Sequence, residues 1–135
     1  MSERIYRYPQ SKTLKLEDAI CRSQNETVNV YIAGPMTGLP DYNYENFTKA
    51  ASLLKSLGLH PVHTANTPRG RTWLCYIDES LKVLRDCDAI FLLKGYEKSK
   101  GALIEQREAE EAGIPTLIGL SDELKALAGA LPEGF

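Results

Sequence analysis

The sequence is poor in the residues that staple or anchor a chain. Its 135 residues include three cysteines, Cys21, Cys75 and Cys87, with no CxxC spacing. An odd count without paired spacing argues against a disulfide framework or a zinc site and suits a reducing cytoplasm. Histidine is limited to His60 and His63. Strand residues three apart point to opposite faces, so one ion does not take both, and no metal is expected. No apolar run approaches membrane-spanning length and no signal peptide opens the chain, so neither a membrane partner nor secretion is expected. An excess of one charge is missing too. Sixteen Lys+Arg against 18 Asp+Glu leave a net charge of −2, which gives no overall pull toward polymeric nucleic acid. Neither GxGxxG nor a Walker P-loop occurs, and no Ser-His-Asp or Cys-His pairing is visible.

What remains is an ordinary globular composition, 43% hydrophobic and 25% charged, long enough for one domain with a real core. Residues 1–27 are polar and mixed in charge, with a weak apolar pattern at Leu14, Leu16, Ala19 and Ile20. They read as an arm or appended helix before a domain spanning 28–135.

From Val28 the pattern is regular. "VNVYIA" is a β-branched run ended by Gly34-Pro35 and reads as a buried strand. A helix follows, with Asn43 as cap, Phe47, Ala50, Leu54 and Leu57 as its stripe and Gly58 at its end. "HPVHT" is a second strand, and "TANTPRGR" is loop. The next helix carries Leu74, Ile77, Leu81 and Leu84 on one face. "AIFLL" and "PTLIGL" are a third and fourth strand around another helix, and a last helix is capped by Ser121. Strand and helix alternate four times. That predicts a single-domain α/β fold, Rossmann-like or flavodoxin-like, with a parallel sheet of order 2-1-3-4 and helices on both faces. Ligands of such sheets bind beyond the carboxyl ends of the strands where the order reverses. The two loops there, "GPMTGLPDYN" and "KGYEKSKG", are the most glycine-rich in the chain.

Gly34, Pro35, Met36, Thr37 and Gly38 form the first of these loops. They serve either as a plain turn or as a close backbone approach to a ligand. In the second, Ser99-Lys100-Gly101 opens a helix. Its free N–H groups and hydroxyl suit an anion, and Ser99 also suits a simple cap. Within that helix Ala102, Glu105, Ala109 and Ala112 step by three and four, so they share one face. Glu105 is therefore a carboxylate on a stripe of small inward residues, which is costly unless something hydrogen-bonds or uses it. A structural acid near the helix start is the plainer alternative. Tyr31 is the odd residue of its strand, and a buried tyrosine needs a hydroxyl partner. Arg69, Arg71 and Trp73 end a loop and could close over a ligand, with Trp73 stacking on a base or docked on the sheet instead.

"YIAGPMTG", then "CDAIFLLKGYEKSKGALIE", then a helix ending "AGIP", resembles the nucleoside 2-deoxyribosyltransferase-like superfamily over about residues 28–119. The nearest resemblance is to its short branch with a GPM-[TS]-G loop. The superfamily also includes 2'-deoxynucleoside 5'-monophosphate N-glycosidases. The resemblance implies Glu105 as a covalent nucleophile at C1' and Tyr31 as the tyrosine that orients it. It implies Ser99 as a phosphate ligand, where transferases carry Asp, with Gly101 and the Thr37-Gly38 region as further donors. No cofactor is implied. The partner is a small nucleoside or nucleotide, in a homodimer or larger homo-oligomer. One departure stands out. Where relatives carry Asp-Leu on the second helix, this chain has Ser80-Leu81, and a serine is no general acid near neutral pH. Either Ser80 binds the sugar passively, or another group does the proton work, or the protein is a poor enzyme. Three functions follow as expectations: an N-glycosidase of nucleoside 5'-monophosphates, a nucleoside deoxyribosyltransferase, or a nucleotide-binding sensor without turnover.

Overall fold

The computed structural model describes residues 13–36, 39, 43–64 and 72–118. In chain order the elements are β1 (Thr13–Lys15), α1 (Leu16–Ser23), β2 (Asn29–Ala33), α2 (Tyr44–Ser56), β3 (His60–Val62), α3 (Trp73–Arg85), β4 (Ala89–Leu92), α4 (Lys100–Glu111) and β5 (Thr116–Ile118). A 3-10 turn, Tyr96–Lys98, leads into α4. All strand pairs are parallel, and the sheet order is β1-β5-β4-β2-β3. Within it the four strands legible from the sequence stand in the expected 2-1-3-4 order. The expected strand residues 119–120 and the helix capped by Ser121 lie outside the described residues.

β1 is the addition. Thr13–Lys15 pairs with Thr116–Ile118 at the sheet edge, and Leu14, Leu16 and Ala19 enter the core. Three residues alternating exposed, buried, exposed carry too little pattern to be read as a strand without their partner.

Parallel strands covered on both faces read as continuous apolar runs, and β2 shows why. Its side chains alternate between two cores. Val30 and Ile32 join Phe47, Ala50 and Leu54 of α2. Tyr31 and Ala33 join Leu84 of α3 and Ala102 and Ala109 of α4. The sheet is thus sandwiched between α1 and α2 on one face and α3 and α4 on the other. No helix among the described residues is long and apolar enough to cross a membrane.

Two helix readings need correction. Leu74 is not part of the inward stripe of α3: it is 73% exposed, and Thr72–Cys75 is exposed throughout. Burial begins one turn later and runs through Ile77, Ser80 and Leu84, with Leu81 half-buried. Asn43 precedes α2, but its side chain caps no helix N–H. Its Nδ2 donates to the Pro35 carbonyl at 2.9 Å and its Oδ1 accepts from Asn46 at 2.6 Å, which ties the first loop to the helix.

Candidate active site

β2 lies between β3 and β4, and the chain leaves it for β3 on one side and returns to β4 on the other. The loops after β2 and β4 therefore meet at the switch point. Gly34 fits that meeting because a Cβ there would lie 2.8 Å from Leu93 Cβ, closer than atoms pack. Glycine lets the end of β2 run against the end of β4.

Glu105 is 6% exposed on α4, aligned with Ala102 and Ala109 as their angular spacing requires. Tyr31, fully buried on β2, donates its hydroxyl to Glu105 Oε2 at 2.6 Å. The two residues are 74 positions apart in sequence. Burial raises the Glu105 carboxyl, the Tyr31 and Ser80 hydroxyls oppose that rise, and the group is left at about 7. Burial also raises the Tyr31 hydroxyl well above its ordinary range, helped by the charge and hydrogen bond of Glu105. A carboxyl poised near neutrality with one oxygen held by a phenol is suited to nucleophilic or acid–base work.

Ser80 is completely buried. Its hydroxyl acts on Glu105 and Tyr31 and lies 3.1 Å from Thr64 Oγ1. Thr64, just past β3, is also 3.4 Å from the Tyr31 hydroxyl and 2.8 Å from that of Tyr76. Tyr76 in turn lies 2.9 Å from Met36 Sδ and 3.1 Å from the Thr64 carbonyl. Sequence reading does not single out Thr64 or Tyr76. The usable signal is position, since Thr64 follows the carboxyl end of a parallel strand, where ligand-facing groups collect.

Ser99 caps α4, accepting from the Ala102 N–H at 3.2 Å. Gly101 gives α4 room beside α3, because a Cβ there would come within 3.1 Å of Ile77 Cδ1. Trp73 is not docked on the sheet. It is 42% exposed, with Lys100 Nζ 5.9 Å from its ring centroid, so the two helix starts meet at an aromatic–cation contact. Pro35 and Met36 are half-buried and held through Asn43 and Tyr76. Thr37, Gly38, Arg69 and Arg71 lie outside the described residues. His60 is exposed, while His63 stacks at a tilt on Phe47 with centroids 5.6 Å apart and is lowered by burial. No cluster of three metal-ligating side chains occurs among the described residues.

The family described as "Domain of unknown function (DUF4406)" matches residues 28–118. No curated protein matches the chain. Among solved structures, the 2-desoxiribosyltransferase from Leishmania mexicana superposes with a TM-score of 0.54 at 22% identity, over 68% of this chain and 63% of that protein. The chain thus spans less than two thirds of that relative's length. At this identity the likeness is one of fold, and it agrees with the α/β fold expected from the sequence.

Proposed function

We propose that this chain, which belongs to the DUF4406 family, is an N-glycosidase of (deoxy)nucleoside 5'-monophosphates with Glu105 as nucleophile. The observation that carries the reading is the buried Glu105 carboxyl, raised to about 7 and held at 2.6 Å by Tyr31 beneath the switch point of the sheet. A purely structural carboxylate gains nothing from such a setting.

In this reaction the ionised Glu105 attacks C1' of the sugar. A C1'–O bond forms and the C1'–N bond breaks through an oxocarbenium-like transition state. The bonding pair leaves with the base, which takes a proton from water. Tyr31 holds one carboxylate oxygen and fixes the attack direction. Water then attacks C1', the ester C–O bond breaks, the carboxylate is restored, and sugar phosphate and a proton are released. This is the double displacement of retaining glycosidases. No second carboxyl acts on Glu105 among the described residues, so side-chain acid assistance to the base is not part of the scheme. Ser99, the N–H groups it leaves at the start of α4, Gly101 and the Gly34–Gly38 loop would hold the phosphate and sugar. Trp73 would cover the base, and Ser80 would act from beneath the sugar.

A second reading, transfer to another base, is favoured by the fold match to a protein named as a 2-desoxiribosyltransferase. It differs only in what attacks the ester. The same proposal places the protein in the cytoplasm as a homo-oligomer acting on small molecules.

Incubation with a panel of ribo- and deoxyribonucleoside monophosphates should release free base from at least one member. Base exchange in the presence of an added free base would select the transferase. Binding of a nucleotide without release of base from any would leave a sensor. Release that survives Glu105→Gln would sink the nucleophile.

A further inference from the structure

The hydroxyls around Glu105 can be counted. Tyr31, Ser80, Thr64 and Tyr76 carry one hydroxyl hydrogen each. The Tyr31 hydrogen goes to Glu105 Oε2. The Ser80 hydroxyl meets Thr64 at 3.1 Å. Thr64 Oγ1 is the atom in reach of all three other hydroxyls, with Tyr31 at 3.4 Å and Tyr76 at 2.8 Å besides Ser80. An ionised carboxylate only accepts, so it takes the hydrogen of Tyr31. The Tyr31 oxygen then accepts from Thr64, and the Thr64 oxygen accepts from Tyr76 or Ser80. In that arrangement every hydrogen points toward the carboxylate, and each donor is polarised by the one behind it. A neutral carboxyl carries a hydrogen of its own, and donating it from Oε2 to Tyr31 turns part of the chain around. Tyr76 can follow, because Met36 Sδ at 2.9 Å and the Thr64 carbonyl at 3.1 Å offer its hydrogen other acceptors.

We propose that Thr64 is a positioning residue for Glu105: its hydroxyl, where the Tyr31, Ser80 and Tyr76 hydroxyls converge, orders their hydrogens toward the carboxylate and stabilises its ionised form. Thr64 acts through its neighbours and not through substrate. The kinetic consequence rests on the nucleophile reading above, whereas the effect on the carboxylate does not. Among the described residues, the titratable groups that face Glu105 are Tyr31 from β2 and, one hydroxyl further, Tyr76 from α3. Glu108 on its own helix is turned to Arg85 at 2.6 Å.

Thr64→Val keeps the branched shape and removes the hydroxyl. The readout is the Glu105 titration in ligand-free protein, followed by carbon-13 NMR of the glutamate carboxyl carbons, with Glu105→Gln assigning the signal. The expected result is a midpoint raised by at least about half a pH unit, restored by Thr64→Ser. An unchanged midpoint overturns the proposal, as does a rise that Thr64→Ser leaves in place. If the valine variant does not fold, Thr64→Ala takes its place, with the same rise expected and an unchanged midpoint again overturning the proposal. In turnover, the acid limb of kcat should move with the midpoint while KM stays put. A raised KM with an unmoved limb would place Thr64 on the substrate and overturn the proposal. A wild-type protein that releases no base sinks the glycosidase reading alone, and the titration still decides the role of Thr64.

Discussion

Asp88 and Glu105 are the two buried carboxylates among the described residues, 3% and 6% exposed. Asp88 stands just before β4. It accepts the Asn29 N–H at 2.8 Å, and its own N–H donates to the Asn29 carbonyl at 2.7 Å. It clamps the entries of two neighbouring strands with backbone partners that cannot reorient. Glu105 sits on a helix over β2, and the partners seen acting on it are hydroxyls, each able to turn its hydrogen. Equal burial therefore serves two ends. A carboxylate bonded to strand backbone fixes chain geometry, while Glu105, raised to about 7 by burial against the pull of hydroxyls that can turn, has partners able to follow the gain or loss of its proton.

The sharpest break in that comparison is Glu105→Gln. Base release should fall at least about a thousandfold, while stability should rise at pH 8. The Glu105 carboxyl moves from 4.5 to about 7 on folding, so the folded state holds its proton more tightly than the unfolded one. The stability this confers is complete below about pH 4.5 and is lost as pH rises through about 7. The gap corresponds to roughly 3 kcal/mol at pH 8 as an upper bound, and thermal melts against pH should show the two proteins converging toward acid. Asp88→Ala is the counterpart. It strands the Asn29 N–H and should cost about 1–3 kcal/mol in urea unfolding, with the Glu105 midpoint unmoved. A moved midpoint would mean that the two carboxylates are coupled after all.

Tyr31→Phe removes one donor from the carboxylate. The Glu105 midpoint should rise by about one pH unit, carrying the acid limb of the pH–rate profile to higher pH. A limb that stays in place would detach Tyr31 from the nucleophile. Ser99→Ala should show the smallest change. Loss of the cap costs about 1 kcal/mol, and under the proposed role KM should rise for nucleoside monophosphates while that for nucleosides does not.

Legibility in the sequence follows the range of the interactions. The inward turn of Glu105 is visible because Ala102, Glu105 and Ala109 sit on one helix face and the inference needs only a local angle. Strand order is visible because alternating elements and handed crossovers leave few topologies. The inward face of Ser80 is hidden by the leucines around it. Leu74 looks like core, yet the first turn of α3 is exposed and Ser80 takes the buried place. Thr64 is invisible because its meaning comes from Tyr31, 33 residues away, and Ser80, 16 away, joined only in three dimensions. The edge strand β1 is missed for the same reason, since its partner lies at the other end of the domain. The phosphate role of Ser99 comes from resemblance, whereas the proposed role of Glu105 draws also on its burial and its bond to Tyr31.

The alternation along β2 has an evolutionary consequence. Val30 and Ile32 answer to one layer, Tyr31 and Ala33 to the other. Drift on the α1–α2 side can rewrite half of the strand without touching the hydroxyl cluster. A single inserted or deleted residue within the strand cannot be absorbed in that way, because it exchanges the two sets at once and sends the tyrosine into the wrong layer. The strand's length is thus under tighter constraint than the identity of its aliphatic residues, and lineages carrying this site should vary in composition here long before they vary in spacing.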